Sequence, residues 1–152
     1  MSVKLLRVYH GTHILAKKGI VSSGKLVKSC RENSPYRCYS DEKQTEYGFV
    51  YVANNIADAY DYSFRASMAV YGNSKIPGLY IFRFDIDEDL CQPDITDPDK
   101  AGRIFRIPKD IVKADKLYYS SFAYDGVNLL DSGYQEQNDI KRIENVAIWK
   151  EV

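Results

Sequence analysis

Short apolar runs of strand length, separated by polar stretches and one sustained helical period, set the plan of this chain. Leu5-Leu6-Arg7-Val8-Tyr9 is β-prone and predicts a strand that ends at His10-Gly11-Thr12. Helical spacing then joins Ile14, Leu15 and Lys18, and Gly19 is expected to stop that helix. From Ser22 to Glu46 the chain is polar and reads as one long loop, a length that often carries function. Gly48-Phe49-Val50-Tyr51-Val52-Ala53 predicts the next strand. Asn54 or Asn55 is placed to cap a helix running to about Tyr71, with Ile56, Ala59, Tyr60, Phe64 and Met68 on its apolar face. Gly72-Asn73 ends it.

The second half is richer in strands. Gly78 to Ile86 is the clearest, with Phe82, Phe84 and Ile86 alternating with charged residues. A loop rich in Pro and Asp follows from Gln92 to Lys100, and Ile104 to Ile111 is open between strand and other structure. Lys116-Leu117-Tyr118-Tyr119 predicts a short strand. Tyr124-Asp125-Gly126-Val127 predicts a turn, with Asp125 in it, feeding a strand through Leu130. Asp131-Ser132-Gly133 turns again, and Ile143 to Val152 is expected as a final strand. Strands and helices do not alternate as βαβ units. That order predicts an α+β fold, an antiparallel-rich sheet with flanking helices, in a single domain over residues 1–152.

Composition narrows the classes. A chain of 152 residues with 45% hydrophobic and 28% charged residues is ordinary for one globular domain. Its longest apolar runs, such as Ala147-Ile148-Trp149, fall far short of the roughly 18 residues a membrane helix needs. The first residues lack the apolar core of a secretion signal, which predicts a cytoplasmic protein, of the producer or of a target cell, with no membrane partner. Lys plus Arg number 21 and Asp plus Glu number 21, so no general attraction to nucleic acid is expected. Cys30, Cys38 and Cys91 have no metal-ligand spacing, and with only His10 and His13 beside them no metal is expected. Thirteen tyrosines are the unusual feature, since tyrosine suits both cores and stacking sites.

Three features occur in a telling order: Tyr9-His10-Gly11-Thr12 at a strand end, Tyr51 before a helix bearing Tyr60 and Tyr62, and a late acidic residue. In this the sequence resembles the ADP-ribosyltransferase superfamily, specifically the His–Tyr–Glu branch of diphtheria-like toxins and poly(ADP-ribose) polymerases. Members carry a strand ending in His-Gly-Thr or His-Gly-Ser, then Gly-x-x-Tyr-x-Ala before a helix with a second tyrosine, then a late strand with a glutamate. Here His10-Gly11-Thr12 and Gly48-Phe49-Val50-Tyr51-Val52-Ala53 match the first two motifs. The likeness covers residue 9 to about 150 and is thin outside those motifs. It implies the split β-sheet of that superfamily, NAD as cosubstrate, and cleavage of the nicotinamide–ribose bond.

Chemistry accounts for the grouping. The nicotinamide of NAD leaves as its bond to ribose breaks through an oxocarbenium-like state, as in glycoside hydrolysis. Tyrosine faces can sandwich the cationic ring at ~0.5–1.5 kcal/mol per contact beyond burial. A glycine lets backbone groups approach the carboxamide without a Cβ in the way. The resemblance implies that His10 hydrogen-bonds the adenosine ribose, that Gly11 and Thr12 belong to the NAD site, and that Tyr51 and Tyr62 stack on nicotinamide. Tyr60 is the alternative to Tyr62, because residues two apart on a helix diverge by about 200° and cannot both stack on one ring. For the carboxylate that stabilises the developing charge, the layout favours Glu136, ahead of a turn and the last strand. Glu144, at the start of an apolar run ending in Trp149, is the alternative. Arg83 and the Arg103–Arg106 stretch are candidates to meet the phosphates.

Function is therefore expected to be mono-ADP-ribosylation of a macromolecular acceptor, protein, RNA or DNA. A chain this small suggests a toxin, effector or phage-related enzyme, a monomer whose partners include an inhibitor or antitoxin protein. Two rival readings stand beside it. One is a catalytically silent NAD-binding or protein-interaction module of the same fold. The other is an RNA 2′-phosphotransferase, whose motif also begins with His-Gly-Thr.

Overall fold

A computed structural model describes residues 3–30, 47–72, 75–94, 100, 102–124 and 136–152, without the side chains of 136 and 137. Strand β1 (Leu5–Thr12) lies beside β4 (Leu79–Asp87), and all eight of its residues find antiparallel partners there, from Leu5↔Asp87 to Thr12↔Tyr80. That long partner carries β1 through the His10-Gly11-Thr12 motif, and the strand ends at Thr12.

Strands β3 (Val50–Ala53), β5 (Gln92–Pro93), β6 (Ile104–Ile107), β8 (Tyr118–Phe122) and β9 (Lys150–Glu151) complete an open antiparallel sheet ordered β5-β6-β3-β1-β4-β8-β9. β2 (Leu26–Val27) and β7 (Ile111–Val112) form a separate two-stranded sheet. The fold is thus mixed α and β with an antiparallel sheet that does not close into a barrel. The strand β2 interrupts the expected loop from Ser22, and β6 and β7 divide the ambiguous stretch Ile104–Ile111. No helix among the described residues is long and apolar enough to cross a membrane.

Alternation along the strands sends one set of side chains to each face. On the first face Val8, Val50, Val52, Phe82 and Phe84 pack with Ile20, Leu26 and Val112, under helix α1 (Ile14–Ser23) and the small sheet. On the second, Ala53, Leu79, Ile81, Ile104 and Phe122 pack under α2 (Ile56–Tyr71) and α3 (Glu136–Val146). α1 passes through Gly19, the expected stop, because Ile20 is buried one residue on and anchors the next turn. It ends instead at Gly24, whose φ of 70° fits glycine and whose N–H donates to Ile20 O at 2.7 Å.

Asn55, not Asn54, caps α2, its side chain accepting from Asp58 N at 2.9 Å. Ser63, fully buried, ties that helix to the sheet: its hydroxyl donates to Thr12 O at 2.6 Å and accepts from Tyr80 N at 2.9 Å. α2 lies so close to β1 that a Cβ at Gly11 would stand 1.8 Å from Ala59 O.

The C-terminal expectation fails. Residues 136–146 form a helix, and only Lys150–Glu151 pair as a strand, with Tyr119 and Tyr118. Ile140, Ile143 and Ala147 recur at helical spacing and seat α3 against α2, which outweighs the apolar run toward Trp149 that suggested a strand. Glu136 and Glu144 consequently sit on this helix, ahead of β9 and not on a strand. Asp125, the strand expected through Leu130 and the turn at Asp131–Gly133 lie outside the described residues.

Candidate functional site

β1 has very different neighbours on its two edges. Toward β4 it is paired throughout, but toward β3 the pairing is recorded at Tyr9↔Ala53 alone among the described residues. Beyond that pair the two strands part, and His10 reaches across the gap. Its Nδ1 lies 2.7 Å from Tyr51 O, and since a carbonyl only accepts, the ring carries its proton on Nδ1. Nε2 is left as a hydrogen-bond acceptor. Burial lowers the His10 pKa, and the contact with the Tyr51 carbonyl opposes this more weakly, so the ring is neutral at pH 7.

Two cavities meet at the gap, and His10, Gly11 and Tyr51 belong to the walls of both. The larger, about 290 Å³, lies on the α1 side, with Thr12, His13 and Ser23 supplying polar groups and Ile20, Leu26 and Val50 apolar ones. That is close to the lower end of ligand sites, ~300 Å³. The smaller, about 30 Å³, is bounded by Tyr9, Val52, Ala53 and Tyr62 besides the shared three. Alternation directs the His10 side chain to the α1 side and that of Tyr51 to the α2 side, so the His10 ring meets the backbone carbonyl of Tyr51 and not its phenol.

Tyr60 and Tyr62 have separate fates. Tyr60 is fully buried and packs edge-to-face on Phe122 at 5.6 Å, whereas Tyr62 lines the small cavity. The Lys100 ammonium sits 4.4 Å from the centre of the Tyr62 ring and 2.5 Å from Asp61 Oδ2. Arg103 Nε donates to Asp58 Oδ2 at 2.8 Å beside it. These ion pairs brace the helix turn that carries Tyr62.

Gly11 has a packing reason to be glycine, its contact with α2, in addition to the one the resemblance implies. Thr12 is buried, lines the larger cavity, and gives its carbonyl to Ser63. Glu144 lines neither cavity. Glu144 is exposed, but its charge, after burial, helps raise the pKa of the Tyr9 phenol in the small cavity's wall. Of Glu136 only the backbone is described, at the first residue of α3.

The arginines considered for phosphates are engaged elsewhere. Arg83 stacks on Trp149 at 4.4 Å and on Tyr118 at 5.1 Å, Arg103 holds Asp58, and Arg106 lies over Phe49 at 4.4 Å. His13 and Tyr9 are wall residues that sequence reasoning gave no role. A signal existed for His13, which stands directly before the first helical residue, where caps belong. Among the described residues no group of three His, Cys, Asp or Glu side chains could hold a metal ion. Comparison of the chain with protein-family models, with curated proteins and with solved structures finds no match.

Proposed function

We propose that this protein is an ADP-ribosyltransferase-type domain that binds NAD across the gap between β1 and β3 and breaks its nicotinamide–ribose bond. One observation carries the reading: His10, Tyr51 and Tyr62, from three separate elements, border one small cavity where the strands part. The parting itself supports the split sheet that the motifs imply. In this arrangement the larger cavity takes the adenosine half, with His10 Nε2 accepting from a ribose hydroxyl. The nicotinamide faces Tyr51 and Tyr62. At about 30 Å³ the small cavity holds roughly one water. Entry of the ring therefore requires the two tyrosines to move apart.

The bond from ribose C1′ to the nicotinamide nitrogen breaks with its electron pair going to nitrogen, so nicotinamide leaves neutral. An acceptor nucleophile on protein, RNA or DNA then bonds to C1′ and releases its proton to solvent. Tyr51 and Tyr62 stack on the departing ring, and the carboxylate for the positive charge is Glu136 or, alternatively, Glu144 on the same helix. The helical position of both glutamates favours a second reading, a silent NAD-binding module.

Nicotinamide release from NAD by the purified protein separates the two. Release that falls on the order of 10²-fold in Glu136→Gln or in Glu144→Gln, with NAD binding retained, supports the enzyme and assigns the carboxylate. Binding without release supports the silent module, and neither binding nor release overturns both. His10→Ala should keep the fold and lower kcat/KM roughly 3- to 10-fold through loss of the ribose hydrogen bond.

A further inference from the structure

His13 caps α1 with an extended backbone, φ −95° and ψ 170°, and its Nδ1 accepts from Ala16 N at 3.3 Å. Histidine is an uncommon choice there, where Asn, Asp, Ser or Thr would cap at least as well. The imidazole differs from those side chains in having a second polar edge. Because Nδ1 accepts, the neutral ring carries its proton on Nε2, which is therefore a donor. No hydrogen-bond partner meets Nε2 among the described residues.

His13 is only 7% exposed, and it lines the 290 Å³ cavity three residues along from His10. The two histidines line one cavity, and their remaining ring nitrogens are of opposite polarity. His10 spends its proton on the Tyr51 carbonyl and presents a lone pair, whereas His13 spends its lone pair on the helix and presents an N–H. Burial lowers both pKa values, and His10 lowers that of His13 further, so the neutral tautomers persist at pH 7. Ala16, Ile20, Leu26 and Val50 give the wall an apolar part that suits the flat face of a base, beside the polar Thr12, Ser23, Lys25 and Ser29.

We propose that His13 is a second ligand-contacting and specificity-determining residue, whose Nε2–H donates to an acceptor atom of the adenosine half of NAD. This rests on the NAD reading above and adds the donor that complements His10. A matched donor and acceptor select a group bearing both, as a ribose or a purine edge does.

The test exploits the cap. His13→Asn keeps a capping side chain but withdraws the ring donor from the cavity. His13→Ala removes both. Calorimetric titration with NAD and with AMP, together with thermal melting, should show that Asn at 13 preserves the melting temperature and weakens both ligands roughly 3- to 10-fold. In steady state the loss should fall on KM and leave kcat near wild type. If the Asn variant binds as tightly as wild type while the Ala variant merely melts lower, His13 is a helix cap only and the proposal is overturned. Wild-type protein that binds neither NAD nor AMP overturns the NAD reading itself, and this inference with it.

Discussion

The two edges of β1 do opposite work. Toward β4 the strand is zipped over all eight residues; toward β3 it is held at one pair, and the space beyond is where His10, Gly11 and Tyr51 face two cavities. The contrast is instructive because the residues are shared. His10 and Gly11 are fixed by pairing with Phe82 and Ile81 and by the helix above, so their other edge can stand open without losing position. Held this way, these β1 residues keep their positions whether or not a ligand is present, since the closed edge bears the conformational cost of the open one.

The strongest way to break the contrast is to push α2 off β1. Gly11→Ala would set a Cβ 1.8 Å from Ala59 O, a backbone atom that cannot swing aside. We expect a loss of at least about 3 kcal/mol, lowering the melting temperature by roughly 6–12 °C. A variant that melts within about 2 °C of wild type would show that the helix is free to move.

A milder break removes the tie and leaves the shape. Ser63→Ala strands the Thr12 carbonyl and the Tyr80 N–H, both held by the hydroxyl. The cost should be about 2 kcal/mol in urea unfolding, with any effect on ligand following from the shift of Thr12 beside the cavity.

The smallest effect sharpens the open edge through its protons. Both His10 and His13 titrate below the ordinary value of 6.5 because of burial. Above about pH 6.5 both rings are neutral folded and unfolded, so neither makes stability depend on pH. As pH falls below that, the unfolded chain binds protons that the folded one resists, and stability is lost until the lowered folded values are passed. Urea midpoints at pH 7.5 and 5.5 should therefore drop more in wild type than in His13→Asn, which lacks one of the two rings. Equal drops would mean that His13 is protonated as easily folded as unfolded.

What the chain showed beforehand depended on how local each cause was. The helix Ile56–Tyr71 was legible because its cap, apolar face and terminal glycine lie within one stretch. The strand Leu79–Asp87 was legible for its alternation. The C-terminal helix was misread because the apolar run Val146–Trp149 is adjacent in sequence, whereas the contacts of Ile140 and Ile143 with the α2 side of the core are remote. Choosing between Tyr60 and Tyr62 met the same limit. Helical geometry alone says that they diverge, and only packing on Phe122 tells which one is core.

By itself the sequence determined the strand and helix periodicities, the antiparallel character of the sheet, and the motif residues His10, Gly11, Thr12 and Tyr51 as candidates. Those follow from local spacing, turn chemistry and motif order. Only the tertiary structure decided that β1 and β3 part after Tyr9, that His10 holds the Tyr51 carbonyl across the opening, and that His13, while capping α1, also lines the cavity His10 lines. Each depends on where strands stop pairing. Pairing is a balance of long-range contacts, and no stretch of this chain encodes it alone.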